Sequence, residues 1–242
     1  MHFSSERRLD SGVLEREFTL GEIPGILWTP ASTTEPAPLI LVGHPGGLRQ
    51  MYPRLAARAL DSAAHGFASI TIELPGSGER PRSAAADKAR AELRNALATG
   101  EPVDEIVDAL VLPLVDKAVP EWQTTLDDAL SLPEIGDRVG FSGGVIAIAI
   151  RLAVVEPRIA AALLFAGSFV PRSMFDEARQ VTIPLHVLLQ WDDEGNDRQM
   201  ALDLFDAFGS KEKTLHANMG GHTGVPAFEA DASARFFIRH LT

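Results

Sequence analysis

The stretch Asp137-Arg138-Val139-Gly140-Phe141-Ser142-Gly143-Gly144, followed without a turn residue by Val145-Ile146-Ala147-Ile148-Ala149-Ile150, decides how the chain is read. A short apolar run meets a serine set among glycines and passes into an alanine- and isoleucine-rich segment. That pattern predicts a buried strand turning sharply at Ser142 into a buried helix. Gly140-x-Ser142-x-Gly144 fits the nucleophile-elbow spacing, in which flanking glycines let the backbone bend so tightly that the serine hydroxyl stands at the sheet edge. The same residues also suit an ordinary Gly-Ser-Gly-Gly turn, so the choice rests on the rest of the chain.

Toward the N-terminus, Arg16 to Thr19 and Ile23 to Trp28 read as an antiparallel edge hairpin joined at Gly21-Glu22. Thr29 to Pro38 is a loop by composition. Leu39-Ile40-Leu41-Val42 is a continuous apolar run, the mark of a strand covered on both faces, and ends at Gly43-His44-Pro45-Gly46-Gly47. A helix follows over Tyr52 to Ala64, then a strand over Phe67 to Ile72 that runs into Leu74-Pro75-Gly76-Ser77-Gly78. From Ser83 to Leu130 the chain is helical, in pieces at Ala84 to Ala98, Val103 to Val119 and Trp122 to Leu130. That is more than one crossover needs, so either a helical insertion at about 83–113 covers part of the sheet end and of the active site, or these helices simply cover a sheet face.

Beyond Ser142, strands are expected at Ala160 to Phe165, Leu185 to Leu189 and Lys213 to His216, with helices near Arg172 to Ala178, Asp197 to Phe208 and Ala227 to His240. Strands alternating with helices imply an α/β fold: a mainly parallel central sheet with helices on both faces, a three-layer sandwich. Ligands bind such sheets at the carboxyl ends of the strands. There the strand through Val139 meets Ser142, the strand ending at Leu189 meets Gln190-Trp191-Asp192-Asp193-Glu194, and the last meets Met219-Gly220-Gly221-His222. Serine, acid and histidine follow in the chain order that nucleophile-elbow enzymes use.

On these residues the chain resembles the α/β-hydrolase superfamily, close to its small serine carboxylesterase and dienelactone-hydrolase-like branch, from about Glu15 to the C-terminus. The resemblance rests on Gly43-His44-Pro45-Gly46-Gly47, Leu74-Pro75-Gly76-Ser77-Gly78, Gly140-Phe141-Ser142-Gly143-Gly144 and Gly220-Gly221-His222. It implies a single domain over 1–242 that cleaves a carboxylic ester or lactone of a small apolar substrate through an acyl-enzyme. Thioesterase or acyltransferase chemistry on the same residues, and a non-catalytic small-molecule receptor, are the alternatives.

Ser142 is the expected nucleophile, since a serine hydroxyl needs a base to take its proton as it attacks a carbonyl. Of seven histidines, His186 lies in an apolar strand and reads as satisfied core. His2, His65 and His240 fall at termini or helix ends, His216 falls within the last strand, and His44 precedes the serine. Only His222 follows the last strand in a glycine-rich loop, so it is the expected base. Asp192, Asp193 and Glu194 compete to orient it. Aligning Gly195-Asn196-Asp197-Arg198 with the family turn favours Asp193, while Gln190-Trp191, where relatives often carry glycine, keeps Asp192 open. The resemblance places the oxyanion donors at the backbone NH groups of Gly143 and His44, although Val42 stands where the family has histidine; Pro45 has no NH to give. Leu48, Met51, Phe141, Phe169, Met174, Trp191 and Val225 are expected to line the acyl pocket, and Arg49 could meet a substrate carboxylate.

Composition excludes several other classes. A net charge of −11 and a pI near 5.1 give no electrostatic footprint for nucleic acid or anionic lipid. The chain has no cysteine, hence no disulfide and no thiolate metal site, and its histidines lack ligand spacing, so neither a metal nor a cofactor is expected. Without an apolar leader or membrane-length run, the expectation is a cytoplasmic protein, monomer or homodimer.

Overall fold

The computed structural model describes residues 1–31, 35–165 and 169–242. Its strands are β1 (His2–Arg8), β2 (Leu14–Leu20), β3 (Ile23–Thr29), β4 (Ala37–Gly43), β5 (Ala68–Ile72), β6 (Ile135–Gly143), β7 (Ile159–Phe165), β8 (Leu185–Gln190) and β9 (Lys213–Asn218). The helices are α1 (Leu48–Ala64), α2 (Ala84–Thr99), α3 (Asp104–Leu130), α4 (Ile146–Val155), α5 (Met174–Ala178), α6 (Arg198–Ala207) and α7 (Phe228–Leu241). Among the described residues the strands form one sheet in the order β1-β2-β3-β5-β4-β6-β7-β8-β9. Pairing is antiparallel from β1 through β3 to β5 and parallel from β5 onward.

The parallel strands are apolar on both faces because both faces are covered. Alternate residues divide between two cores. Leu39, Leu41, Val139 and Phe141 pack toward α3 to α6, whereas Ile40, Val42, Leu163 and Leu188 pack toward α1 and α7. The result is the three-layer α/β sandwich.

Two elements differ from the sequence reading. β1 was not anticipated; its side chains are almost all exposed, so it lacks the apolar alternation that marks a strand, and it is held by its ladder with β2. The helical pieces over 103–130 are one helix, α3, which runs through Pro113 and Pro120. Each proline removes one helical hydrogen bond, but Val107, Val111, Val115, Ala118, Trp122 and Leu126 bury a continuous stripe that holds the helix together. In the region expected to be an insertion, α2 packs on α3, and α3 continues onto β6 and α4. Part of the loop expected between Thr29 and Pro38, at 32–34, lies outside the described residues.

Candidate active site

Strand β6 carries Ser142 one residue from its end. The sharp turn expected at Ser142 falls one residue later: Gly143 takes φ +119°, and among the described residues no non-glycine residue has a positive φ. Glycine is the residue that tolerates such a backbone. Close approach also requires Gly43, paired with Gly143 across the β4–β6 ladder, because a Cβ there would stand 2.2 Å from the Gly144 carbonyl oxygen. Ser142 therefore keeps strand geometry, and its side chain faces the way Gly140 does, toward α1 and α7. Phe141 points to the opposite face, edge-on to Trp122 with ring centroids 6.3 Å apart.

On that face Ser142 meets Arg58 of α1, a residue the sequence reading did not single out. Arg58 donates to the Ser142 hydroxyl at 2.8 Å, to the Ser142 carbonyl at 2.9 Å and to the Gly43 carbonyl at 3.3 Å. Among the described residues no carboxylate pairs with it, and desolvation pulls its pKa down to about 10. It remains charged near neutral pH. Taking an ion out of water costs several kcal/mol, roughly what two or three charge-assisted hydrogen bonds return. The result is a positive charge held against the serine oxygen, with no counter-ion to quench it. An arginine on the inner face of α1 was the only sequence signal, and nothing in it names a partner.

Asp193 and His222 meet across two loops. The carboxylate Oδ2 accepts from His222 Nδ1 at 2.6 Å and from the Asn196 side chain, and Oδ1 accepts from the Gly195 NH at 2.9 Å. Burial alone would raise the pKa of Asp193, but these three donors, His222 first, hold it below the usual carboxylate range. Asp192 is exposed. The His222 ring stands edge-on to Phe165 of β7, centroids 5.2 Å apart, and its side chain is 59% exposed, against 8% for Ser142 as a residue. With Nδ1 engaged, Nε2 is the nitrogen left for chemistry. No hydrogen bond joins Ser142 to His222 in this arrangement: the structure brings Asp193 and His222 together and keeps the serine with Arg58.

The β4–α1 loop lies beside Ser142. His44 is buried and its Nε2 bonds the Ile72 carbonyl at 3.0 Å; burial, and to a lesser extent the Arg58 charge, lower its pKa, so the ring is neutral. Glu73, which the sequence reading passed over, stitches this loop in place: its side chain accepts from the Leu48 NH, the first of α1, at 2.8 Å and from the Glu79 NH at 3.2 Å. It thereby satisfies an orphan donor at a helix N-terminus.

A cavity of about 370 Å³ opens between the α2–α3 junction (Leu97, Val103, Val107), Phe169 and Val170, and the turn Glu194 to Asp197 that follows Asp193; neither Ser142 nor His222 lines it. That is the size of a small-molecule site. Of the seven residues expected to line the pocket, only Phe169 does so here. Phe141 and Met174 are corrected to plain core, at 1% and 0% exposure, and Leu48 is packed into the α1–α7 core. Met51 and Trp191 are half-buried, Trp191 under the Arg198 guanidinium, and Val225 is exposed. Arg49 is exposed and pairs with Glu79 at 3.4 Å.

A second correction concerns histidine. His186, read as satisfied core, has a buried Nε2 with no hydrogen-bond partner, and the chain does bring a His, His, carboxylate set together, at His186, His216 and Glu229. Linear spacing could not reveal it, because the three come from β8, β9 and α7.

A parallel sheet with antiparallel strands at its N-terminal edge, and a serine, an acid and a histidine along its carboxyl rim, defines the α/β-hydrolase fold. No family model matches the sequence, and a search of curated proteins finds no match. Among solved structures, a cold-adapted esterase from an Arctic intertidal metagenomic library, in its PEG-bound complex, is 27% identical over all of both chains, with TM-score 0.72. The Pyrococcus furiosus esterase Pf2001 covers 95% of this chain and 91% of its own at 10% identity and TM-score 0.65. Acetyl xylan esterase 1 from Thermoanaerobacterium covers 97% and 87% at 13% identity and TM-score 0.62. The last two support the fold alone; the first likens the chain, over its full length, to an esterase of that fold.

Proposed function

We propose that the chain is a serine esterase that cleaves a small carboxylic ester or lactone through an acyl-enzyme. Ser142 Oγ attacks the carbonyl carbon while His222 Nε2 takes its proton. The tetrahedral intermediate collapses, His222 returns the proton to the leaving alkoxide, and water then releases the acid by the same steps in reverse roles. Asp193 fixes the His222 tautomer and stabilises the imidazolium. The His44 and Gly143 backbone NH groups supply the oxyanion donors. Arg58 adds a positive charge beside the oxygen that becomes the nucleophile. The acyl group is taken up by the cavity between the α2–α3 junction and Phe169.

The observation that carries this reading is the Asp193–His222 pair, on the strand-end rim that also holds Ser142. The cycle requires His222 to come within reach of the serine, and the loop from Met219 to Ala227, with three glycines, gives the histidine that latitude. The full-length likeness to an esterase supports ester hydrolysis in general. Among the described residues no helix is long and apolar enough to cross a membrane; we place the protein in the cytoplasm, acting on a small molecule rather than nucleic acid.

One observation favours a second reading: Arg58 already holds the Ser142 hydroxyl, as it would in a receptor that has kept the fold without turnover. The two separate on a fluorophosphonate probe, read by intact mass, and on p-nitrophenyl acetate hydrolysis. The esterase reading expects one adduct on Ser142 and a loss of about 10⁴-fold or more in Ser142→Ala. A folded wild type that takes no adduct and does not hydrolyse the ester would leave the receptor.

A further inference from the structure

Away from Ser142, three side chains converge between the sheet and α7. In the parallel β8–β9 ladder His186 is in register with Thr214, and His216 lies two residues further along β9, on the same face. Glu229, in the first turn of α7, is 2% exposed and reaches both rings. Its Oε2 lies 2.9 Å from His216 Nδ1 and 3.8 Å from His186 Nε2. One donor atom from each of the three residues falls within 4.8 Å of the others.

The His186 ring is the telling member. It is 3% exposed, and its Nδ1 is engaged by Thr214 Oγ1 at 2.9 Å. Its Nε2 faces the cluster and, among the described residues, has no hydrogen-bond partner, the Glu229 carboxylate standing 3.8 Å away. A buried polar atom without a partner costs roughly 1–3 kcal/mol.

We propose that His186 Nε2, His216 Nδ1 and Glu229 Oε2 bind one divalent cation of the zinc class. Two imidazoles and a carboxylate select zinc-like ions over calcium or magnesium, which prefer all-oxygen sites. Zinc bonds of about 2.0–2.2 Å place neighbouring ligand atoms about 3.3 Å apart in a tetrahedral site. The 2.9 and 3.8 Å separations to Glu229 bracket that value, and the His216 side chain, 42% exposed, is the member with room to adjust. Uptake displaces the proton His216 shares with Glu229 to solvent, and the fourth position falls to water. His216 lies near the end of β9 and Glu229 at the start of α7, so the ion ties together both ends of the loop that carries His222. It is a clip for that loop, separate from the ester-cleaving residues.

The test is titration of chelator-treated, full-length protein with Co²⁺, then Zn²⁺. The proposal expects one equivalent of Co²⁺ with the intense visible absorption of a four-coordinate site, displacement by Zn²⁺, and a higher melting temperature with Zn²⁺ but not with Mg²⁺. His216→Ala, at a half-exposed position, and Glu229→Gln, with folding checked by circular dichroism, each weaken binding at least about 10–100-fold. His222→Ala binds as the wild type does. The proposal is overturned by a wild type that takes up no Co²⁺. It is equally overturned if His216→Ala binds normally, or if binding is lost in His222→Ala and kept in the cluster variants.

Discussion

Asp193 and His222 meet across two loops with the histidine largely in solvent, whereas Ser142 lies inside a central strand with its hydroxyl held by a helix arginine. Both halves occupy one rim, but their mechanical support differs. The serine is fixed by two β-ladders and by the turn at Gly143; its position is a property of the sheet. The base is fixed by one short contact to a carboxylate and one aromatic edge, on a glycine-rich loop. A ladder-bound group moves only if the sheet does, while a loop residue can travel. Any step that brings base and nucleophile together therefore has to be made by the His222 side.

The largest test of that division is Asp193→Asn set beside Asp192→Asn. Loss of the carboxylate that holds His222 should lower kcat/KM by about 10³–10⁴-fold, while the exposed neighbour should change it by less than about twofold. Equal losses in the two variants would mean that the observed contact is not the working one. A smaller effect is expected on the serine side. Arg58→Leu removes the only charged group that, among the described residues, bonds the Ser142 hydroxyl, and fluorophosphonate labelling of Ser142 should slow by about 10–100-fold, with Arg58→Lys recovering part of the rate. Faster labelling in Arg58→Leu would show that the arginine restrains the serine rather than assisting it.

The smallest effect is on stability in acid. Asp193 and Glu229 both have folded-state pKa values below their unfolded ones, so their pairings contribute stability that is full above the ordinary carboxylate range. That contribution is lost as pH falls through the depressed values. Chemical denaturation of the wild type should weaken in that window, with a shallower pH slope in Asp193→Asn. An unchanged slope would remove Asp193 from the account.

Much of this was legible in the sequence, for physical reasons that also mark its limits. Leu39 to Val42 and Val139 to Phe141 declare themselves because a strand covered on both faces needs unbroken apolar residues. β1 stays hidden because an exposed edge strand needs none. Pro113 and Pro120 suggest breaks in α3, yet one buried stripe outweighs two lost hydrogen bonds. At the site, chain order brings out Ser142, the acid cluster and His222. Choosing Asp193 over Asp192 depends on a turn register that only the folded loop fixes. Arg58 and the His186–His216–Glu229 set are illegible because their meaning lies in contacts between elements far apart in the chain.

Glu73 carries a consequence for how such a protein can diversify. Its carboxyl group is wedged so tightly into the loop after β5 that a Cβ at Gly78 would fall 1.8 Å from Oε1, and a Cβ at Gly47 would fall 2.7 Å from the Gly78 Cα. One substitution there would disturb the start of α1 and the strand ends around Ser142 together. This side of the rim is closed to gradual change. On the proposed esterase reading, new acyl specificities arise instead at the cavity lined by Leu97, Val103 and Met200, which Ser142 does not line, so that drift there alters what is accepted while leaving the serine untouched.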